Sequence, residues 1–527
     1  MKSSPTERRF ALAIAAVLVL AAAVRIWGIE ERPLHHDEAI NSIQLDRLWT
    51  KGTYRYNPEA LHGPSLAYSS LPILWATSSQ SYRDTRELSY RAVPLVFGMA
   101  LILFTFGLAA GIGRGAALAA AALCAVSPSM IFYSRYFIHE MPLVLFSLVA
   151  IACGYQTLRR IGTGESAWGW SLATGASLGM MHATKETFVI AVAAAGLGIL
   201  ASVRWRRPPA AIYSHTLAAA IAAAAVSALF FSSFFTHAQG PIDSLATFSS
   251  YLKTGTDTAS LHHHPWHWYL RLLVYQDRGG VLFNSEAVIV ALACVGLVPI
   301  FRGRGLSADH LPLARFFAVY TVTMLVVYSA IPYKTPWCLL GALYGLIVLA
   351  GIGVVTLLQM ARTPSTRFIV GALFLVLGGQ LVYQNGLVNF RYESDERNPW
   401  VYSHALPDVQ RLADLAKALS ATEDPKAVPT LHVYNWTDNA SLPFYLRDLP
   451  KTRFHRSNGV ASASTNLDVI VIDEAHLGDL DETLANAFPY ERFQMRPNIW
   501  ARLYARPELW AASSIRPGAM PLPETND

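Results

Sequence analysis

The sequence predicts a mainly α, polytopic membrane protein of about eleven transmembrane helices, followed by an extracytoplasmic α/β domain. Three observations carry this: a shortage of charge, a series of long apolar runs, and an abrupt change of composition near residue 391. Of 527 residues, 53% are hydrophobic and 15% are charged, against roughly 25% charged in soluble proteins. Residues 391–527 hold 14 basic and 19 acidic groups, while residues 1–390 hold 28 and 17. This excludes a single soluble domain, a disordered chain and a disulfide scaffold. The four cysteines, Cys124, Cys153, Cys294 and Cys338, all lie in apolar runs and read as small core residues.

A spanning helix needs about 20 mostly apolar residues. Such runs occupy residues 10–29, 90–110, 115–132, 141–158, 167–181, 188–203, 213–235, 287–301, 313–331, 337–358 and 368–389. Residues 66–77 are also apolar but short, with Pro72 inside, and read as a helix lying in the interface. Lys2, Arg8 and Arg9 precede the first run, which places the N-terminus in the cytoplasm. Alternation then puts Arg114, Arg159, Arg160, Arg204, Arg206, Arg207, Arg302, Arg304, Arg362 and Arg367 in inner loops, and the polar tail outside. Residues 10–23 could instead be a cleaved leader ending in Ala21-Ala22-Ala23, which leaves the downstream topology unchanged.

The outer segments are then 30–89, 133–140, 182–187, 236–286, 333–336 and the tail, and of the sixteen histidines just His215 and His310 lie elsewhere. Ionisable groups at helix ends that face a shared cavity are functional candidates. The first loop carries His35-His36-Asp37-Glu38-Ala39, then Tyr54-Arg55-Tyr56-Asn57-Pro58, then Leu61-His62-Gly63-Pro64. Adjacent Asp37 and Glu38 cannot point the same way, so one can serve a reacting centre while the other braces the loop. Equally, they could form a solvated pair capping the amphipathic segment 39–49. The second loop reads Ser134-Arg135-Tyr136-Phe137-Ile138-His139-Glu140; if helical, it places Arg135 and His139 on one face. The others read His182-Ala183-Thr184-Lys185-Glu186-Thr187 and Tyr333-Lys334-Thr335-Pro336-Trp337. Each cation alone could be snorkelling to headgroups. Three of them on the face holding the Asp-Glu pair point to a convergent anion site.

These segments resemble the C-type (GT-C) glycosyltransferase fold, nearest to the protein O-mannosyltransferase and aminoarabinose-transferase relatives. His36-Asp37-Glu38 is similar to the family's first-loop acidic motif, and Ser134-Arg135 to Glu140 to its second loop. Thr184-Lys185 resembles a middle-helix Thr-Lys, and Lys334-Thr335-Pro336-Trp337 a Lys-x-Pro-aromatic element. A narrower resemblance, through His-His-Asp-Glu-Ala, Tyr-x-Tyr-x-Pro and His-Gly-Pro, is to bacterial and archaeal members, some called flippase-associated. The match spans roughly residues 10–390, with Asn398-Pro399-Trp400-Val401-Tyr402 a weak continuation. It departs at Trp337 and at the His-Glu ending of the second loop.

The resemblance implies residues 1–390 as the transmembrane catalytic domain, with 30–89 its first outer loop, and 391–527 as the soluble domain. It implies an inverting transfer of a mannose-like or related sugar from a polyprenyl-phosphate carrier to a hydroxyl acceptor outside the plasma membrane. Asp37, with Glu38, would be the catalytic pair, Asp37 acting as general base. Arg135, Lys185 and Lys334 would bind the donor phosphate. His36, Glu38, His62, Tyr136, His139, Glu140, Glu186 and Tyr333 would contact sugar or acceptor. The resemblance fixes no cofactor, since relatives differ on metal dependence; a divalent metal, Mg or Mn, is conceivable with Asp37 and His139 or Glu140, on a thin ligand set.

Other signals carry less. His262-His263-His264-Pro265-Trp266-His267-Trp268 suits an interfacial helix better than a metal site. Val469-Ile470-Val471-Ile472-Asp473-Glu474-Ala475-His476 resembles a helicase magnesium motif, but no phosphate-cradling G-x-x-x-x-G-K-[ST] loop accompanies it. It reads as a buried parallel-type strand followed by a loop, and nucleic-acid binding is not expected. Residues 407–420 predict a helix with Val409, Leu412, Ala416 and Leu419 inward, and 431–434 and 499–504 predict strands. Asn435-Trp436-Thr437 fits a glycosylation pattern. The rival readings are a flippase or transporter for lipid-linked saccharides, against which stands the lack of an internal repeat, and an inactive envelope scaffold.

Overall fold

The computed structural model describes residues 5–59, 62–77, 79–203, 209–256, 262–421, 427–434, 440–455, 467–477 and 480–513. Lys2, Arg204, Arg206, Arg207 and the Asn435-Trp436-Thr437 pattern lie outside the described residues. The chain divides into two compact units: Met1–Trp27, Arg47–Ile73 and Tyr90–Phe390 in the first, and Gly28–Asp46, Leu74–Ser89 and Arg391–Asp527 in the second.

In the first unit every apolar run is helical. Seven helices are long and apolar enough to cross a membrane: Glu7–Ile26, Glu87–Ile112, Glu140–Thr163, Ala211–Phe231, Leu311–Ala330, Pro336–Met360 and Pro364–Arg391. The run at 115–132, expected as one straight span, is instead a broken one. Arg114–Val126 and Pro128–Ser134 meet at 63°, because Pro128 supplies no N–H and disfavours helical geometry in the residue before it. Counting that pair, the described residues give up to eight spans by length and composition. Phe188–Ser202 and Ala287–Arg302 are shorter apolar helices, and Trp168–His182 has 15 residues. The chain is a multi-pass membrane protein.

Small residues let these helices approach closely. A Cβ on Gly296 would lie 2.0 Å from the Leu349 carbonyl, and one on Gly353 2.0 Å from the Leu292 carbonyl, so Ala287–Arg302 and Leu340–Met360 pack backbone to backbone. Ser65–Ala76 is helical, as its apolar pattern suggests. The histidine tract departs from expectation. His263 makes an isolated bridge to Tyr333, and the helix begins at Trp268 (Trp268–Val274), because Pro265 and the pairing with 332–334 hold the tract out of helix. A hairpin follows: β1 (Gln276–Arg278) pairs antiparallel with β2 (Val281–Phe283), and Gly279 and Gly280 supply the positive φ of 60° and 76° that a two-residue turn demands.

The second unit holds a five-stranded sheet of β3 (Leu431–Tyr434), β4 (Thr452–His455), β5 (Val469–Asp473), β6 (Tyr490–Arg496) and β7 (Ile499–Ala505), in the order β4-β3-β5-β7-β6. β3 runs parallel to β4 and β5, whereas β7 is antiparallel to β5 and β6. All of β5 is buried, as an uninterrupted apolar strand should be when both faces are covered. It is parallel on one side alone, and the segment after it is a short helical turn, Glu474–His476. Asp473 caps that turn by accepting from the Ala475 N–H at 2.9 Å, and Glu474 pairs with Arg492 and Arg502. The acidic motif is thus engaged in holding its own strand end. The predicted helix forms as Asp408–Leu419, with Val409, Leu412, Ala416 and Leu419 buried.

Candidate active site

Three outer loops of the first unit converge on one carboxylate. Glu186 accepts from the Tyr56 hydroxyl at 3.1 Å and from His62 Nδ1–H at 2.9 Å. The His62-Gly63-Pro64 turn is latched to the loop carrying Lys185: Gly63 N–H donates to Thr184 O at 3.1 Å and Ser65 N–H to Ala183 O at 2.9 Å. A Cβ on Gly63 would come within 2.2 Å of that Ala183 carbonyl, so the latch needs glycine. From the second loop, His139 Nε2–H donates to Gly63 O at 3.1 Å, and its ring meets that of His62 edge-on at 5.1 Å. Tyr54 completes the group, its N–H donating to Ser233 Oγ at 2.9 Å and its hydroxyl to His62 O at 3.2 Å.

The charges follow from this packing. Burial alone would raise the Glu186 carboxyl, but His62 and its hydrogen bond, with Lys185 nearby, hold it below the usual carboxylate range. Burial, reinforced by His62 and Lys185, holds His139 well below the usual imidazole range. It is therefore a neutral group at physiological pH, protonated on Nε2.

The second loop is not helical from Arg135 to His139, so the shared helical face expected for those residues does not form. Arg135 instead caps Pro128–Ser134, donates through Nη1 to Asn389 O at 3.0 Å, and lies over the Phe390 ring at 5.5 Å. Tyr136 is buried, its ring 6.0 Å from that of Trp337. Lys185 forms a buried ion pair with Glu140. Lys334 donates through Nζ to the carbonyls of His264, at 2.9 Å, and Ile331, and burial lowers it from the usual lysine value. Tyr333 packs against the His262 ring at 4.7 Å. Glu140, Thr187, Trp337 and Cys338 line a small pocket whose walls are largely apolar, among them Val144, Ala191, Tyr320, Met324 and Tyr328. The ends of the second and third of these loops and the helical turn that follows the last thus meet at one small apolar pocket.

In the second unit, the helix His36–Lys51 begins at the acidic motif. Glu38 is fully buried, and its Oε2 accepts from the His35 N–H at 2.9 Å. His35 Nδ1 in turn accepts from the Asp37 N–H at 2.9 Å, while its Nε2–H donates to Tyr402 O at 2.9 Å. This is a reciprocal cap, with histidine in the place usually taken by serine or threonine. Burial keeps the His35 imidazole below its usual value. His404 packs on its ring at 4.6 Å, and the Leu34 N–H donates to the Tyr445 hydroxyl at 2.8 Å. The segment Asn398 to Tyr402 and the tail beyond therefore hold the start of this helix. Asp37 is the member left half-exposed, with 43% of its side chain accessible and His35 Nδ1 3.9 Å away. His36 follows the capping residue as the first residue of the helix.

Sequence reasoning singled out Tyr54 and Tyr56 as a motif without giving them a role; their order before His-Gly-Pro was the available signal. It passed over Arg25, Glu286, Asn385 and Asn389, polar residues within or beside apolar runs, all buried. Among the described residues no three His, Cys, Asp or Glu side chains are gathered as metal ligands.

Residues 62–239 match the dolichyl-phosphate-mannose-protein mannosyltransferase family. No curated protein matches the chain. The crystal structure of ArnT from Cupriavidus metallidurans in the apo state is similar with a TM-score of 0.63 at 14% identity, covering 98% of this chain and 100% of that one. The same enzyme bound to undecaprenyl phosphate gives 0.63 over 95% and 98% at 14% identity. The archaeal oligosaccharyltransferase AglB from Archaeoglobus fulgidus, in complex with an inhibitory peptide and a dolichol-phosphate, gives 0.55 at 13% identity over 87% of this chain and 69% of that one. The chain is thus a membrane protein with the C-type glycosyltransferase fold, similar in structure to ArnT and AglB.

Proposed function

We propose that the chain transfers a sugar, mannose-like or related, from a polyprenyl-phosphate carrier to a hydroxyl acceptor on the extracytoplasmic face, with inversion. The observation that carries this reading is a small apolar pocket between helices lined by Glu140, the buried ion-pair partner of Lys185, together with Thr187 and Trp337. An amphiphile with a charged head and a hydrocarbon tail fits such a place. Relatives of the same fold have been caught with undecaprenyl phosphate and with dolichol-phosphate.

Asp37 takes the proton of the acceptor hydroxyl as its oxygen attacks the anomeric carbon. The bond from that carbon to the phosphate oxygen breaks, and its electron pair leaves with polyprenyl phosphate. Arg135 and Lys334 stabilise the growing negative charge on that phosphate. Lys185 joins them by exchanging Glu140 for phosphate, which frees Glu140 to contact sugar. Glu38 orients Asp37 through the helix cap. His62, set by Glu186, with His139, His36, Tyr136 and Tyr333, lines the sugar or acceptor side. The N-terminus lies in the cytoplasm and residues 391–527 lie outside; this is read by labelling single cysteines placed at each end from one side of the membrane.

The deciding experiment uses purified full-length protein with a labelled polyprenyl-phosphate sugar. Asp37→Asn, on a half-exposed side chain, should leave folding intact and lower kcat at least about a hundredfold, the low end of what a positioned base supplies. Transfer at the wild-type rate removes the base assignment.

A further inference from the structure

The bent pair Arg114–Val126 and Pro128–Ser134 delivers the loop that presents Arg135, and its break lies among apolar helices. A helix end leaves four carbonyls without intrahelical partners, and within a membrane the protein itself must meet them. Here all four are met. Leu123 O accepts from the Ser127 N–H at 2.8 Å. Cys124 O and Ala125 O accept from Nη2 and Nη1 of Arg25 at 3.0 and 2.8 Å. Val126 O accepts from Asn385 Nδ2 at 2.7 Å. Beyond the break, the Ser129 N–H donates to Glu286 Oε1 at 2.9 Å, and the hydroxyls of Ser129 and Ser127 bind the same carboxylate at 2.6 and 3.0 Å. Pro128 O accepts from Asn389 Nδ2 at 3.0 Å.

Two of these residues also reach the Arg135 segment. Arg25 Nε donates to Ser134 Oγ at 3.2 Å, immediately before Arg135. Asn389, in the π-helical turn Leu387–Arg391, offers its own carbonyl to Arg135 Nη1 at 3.0 Å. A straight apolar helix would cross the bilayer with none of this, and burying an arginine and a carboxylate among spans is costly. The bend is thus held by groups that serve no packing need.

We propose that Arg25, Glu286, Asn385 and Asn389 are positioning residues that lock the bend and so aim the Arg135 guanidinium at the donor phosphate. This rests on the reading of Arg135 as a phosphate ligand. The test is steady-state kinetics on the purified full-length protein, with donor and acceptor varied separately and the melting temperature recorded for every variant. Asn389→Ala and Arg25→Lys should raise the donor KM about tenfold to a hundredfold, as a displacement near 1 Å does, with the acceptor KM unchanged. Should Arg25→Lys fail to fold, Ser134→Ala removes the Nε contact, together with the Ser134 hydroxyl's bond to Met130 O, and carries the same expectation. The double variant Asn389→Ala/Arg135→Gln should bind donor no worse than Arg135→Gln, since an unaimed guanidinium and a missing one are equivalent. A wild-type donor KM in Asn389→Ala, with a raised one in Arg135→Gln, overturns the clamp alone. Additive effects in the double variant do the same. A wild-type donor KM in Arg135→Gln overturns the reading of Arg135 and the clamp's purpose with it.

Discussion

Glu186 shows what one buried carboxylate can organise. It accepts from Tyr56 and His62, so Glu186→Gln leaves at least one donor poorly met and should cost about 1–3 kcal/mol, read from the melting temperature. Its carboxyl is held below the usual range, so the stabilisation is fully present above the unfolded value near ~4.3 and is lost as pH falls through the lowered folded value. Wild type and the glutamine variant should therefore converge in stability in acid. Lys334 behaves in the opposite sense. Burial lowers it, so its charge, and with it the affinity for donor phosphate, should fade as pH rises toward a value below the ordinary ~10.4. In Lys334→Arg the guanidinium stays charged throughout, and the donor KM should lose that alkaline rise. An identical alkaline limb in both proteins removes Lys334 from the phosphate site.

At the level of elements, two neighbouring carboxylates are given different work by one helix start. Glu38 closes the cap over the His35 amide, whereas Asp37 keeps an accessible side chain. Glu38→Ala should cost about 1 kcal/mol of stability, with Glu38→Gln recovering much of it. Asp37→Asn should leave the melting temperature in place while activity falls. The reverse pattern, with Glu38→Ala stable and Asp37→Asn not, would exchange the two roles. The order Asp-Glu was legible in the sequence, and so was the need for one residue to brace. Which residue braces depends on His35, whose side chain is itself fixed by Tyr402 and packed by His404, more than 360 positions away along the chain. The second loop carries the same lesson. Its residues permit a helical face for Arg135 and His139, but the short helix that Pro128 opens ends at Ser134 with Arg135 as its C-cap, and His139 turns instead to the Gly63 carbonyl.

For the whole molecule, the proposed lipid-linked donor is tested at the small apolar pocket between helices. Ala191, on Phe188–Ser202, is a small buried wall residue there. Ala191→Phe should fill the space and raise the donor KM about tenfold, or ~1.4 kcal/mol, for a long-chain polyprenyl donor, while a short-chain analogue is transferred as before. Equal effects on both donors would place the tail elsewhere. The distribution of charge also bears on the rival transporter reading. Asp37, Lys185, Glu186 and Lys334 all lie at or just beyond helix ends, whereas transporters place such groups near the bilayer midplane.

The sequence by itself determined the class of molecule, because low charge and apolar runs of membrane length are summed properties that need no partner to be read. It also determined the candidate residues, since motifs survive as strings, and the strand and helix of the tail, whose periodicity is local. The tertiary structure alone decided where the third run breaks and what each charge touches. Arg25 and Glu286 mark the boundary of legibility. In the string they are isolated polar residues beside apolar runs. Their meaning lies in two carbonyls and an amide 99 to 157 positions distant, left without partners by a bend that the sequence signals with a single proline. Local pattern reports which groups must be satisfied; only the packed chain reports by whom.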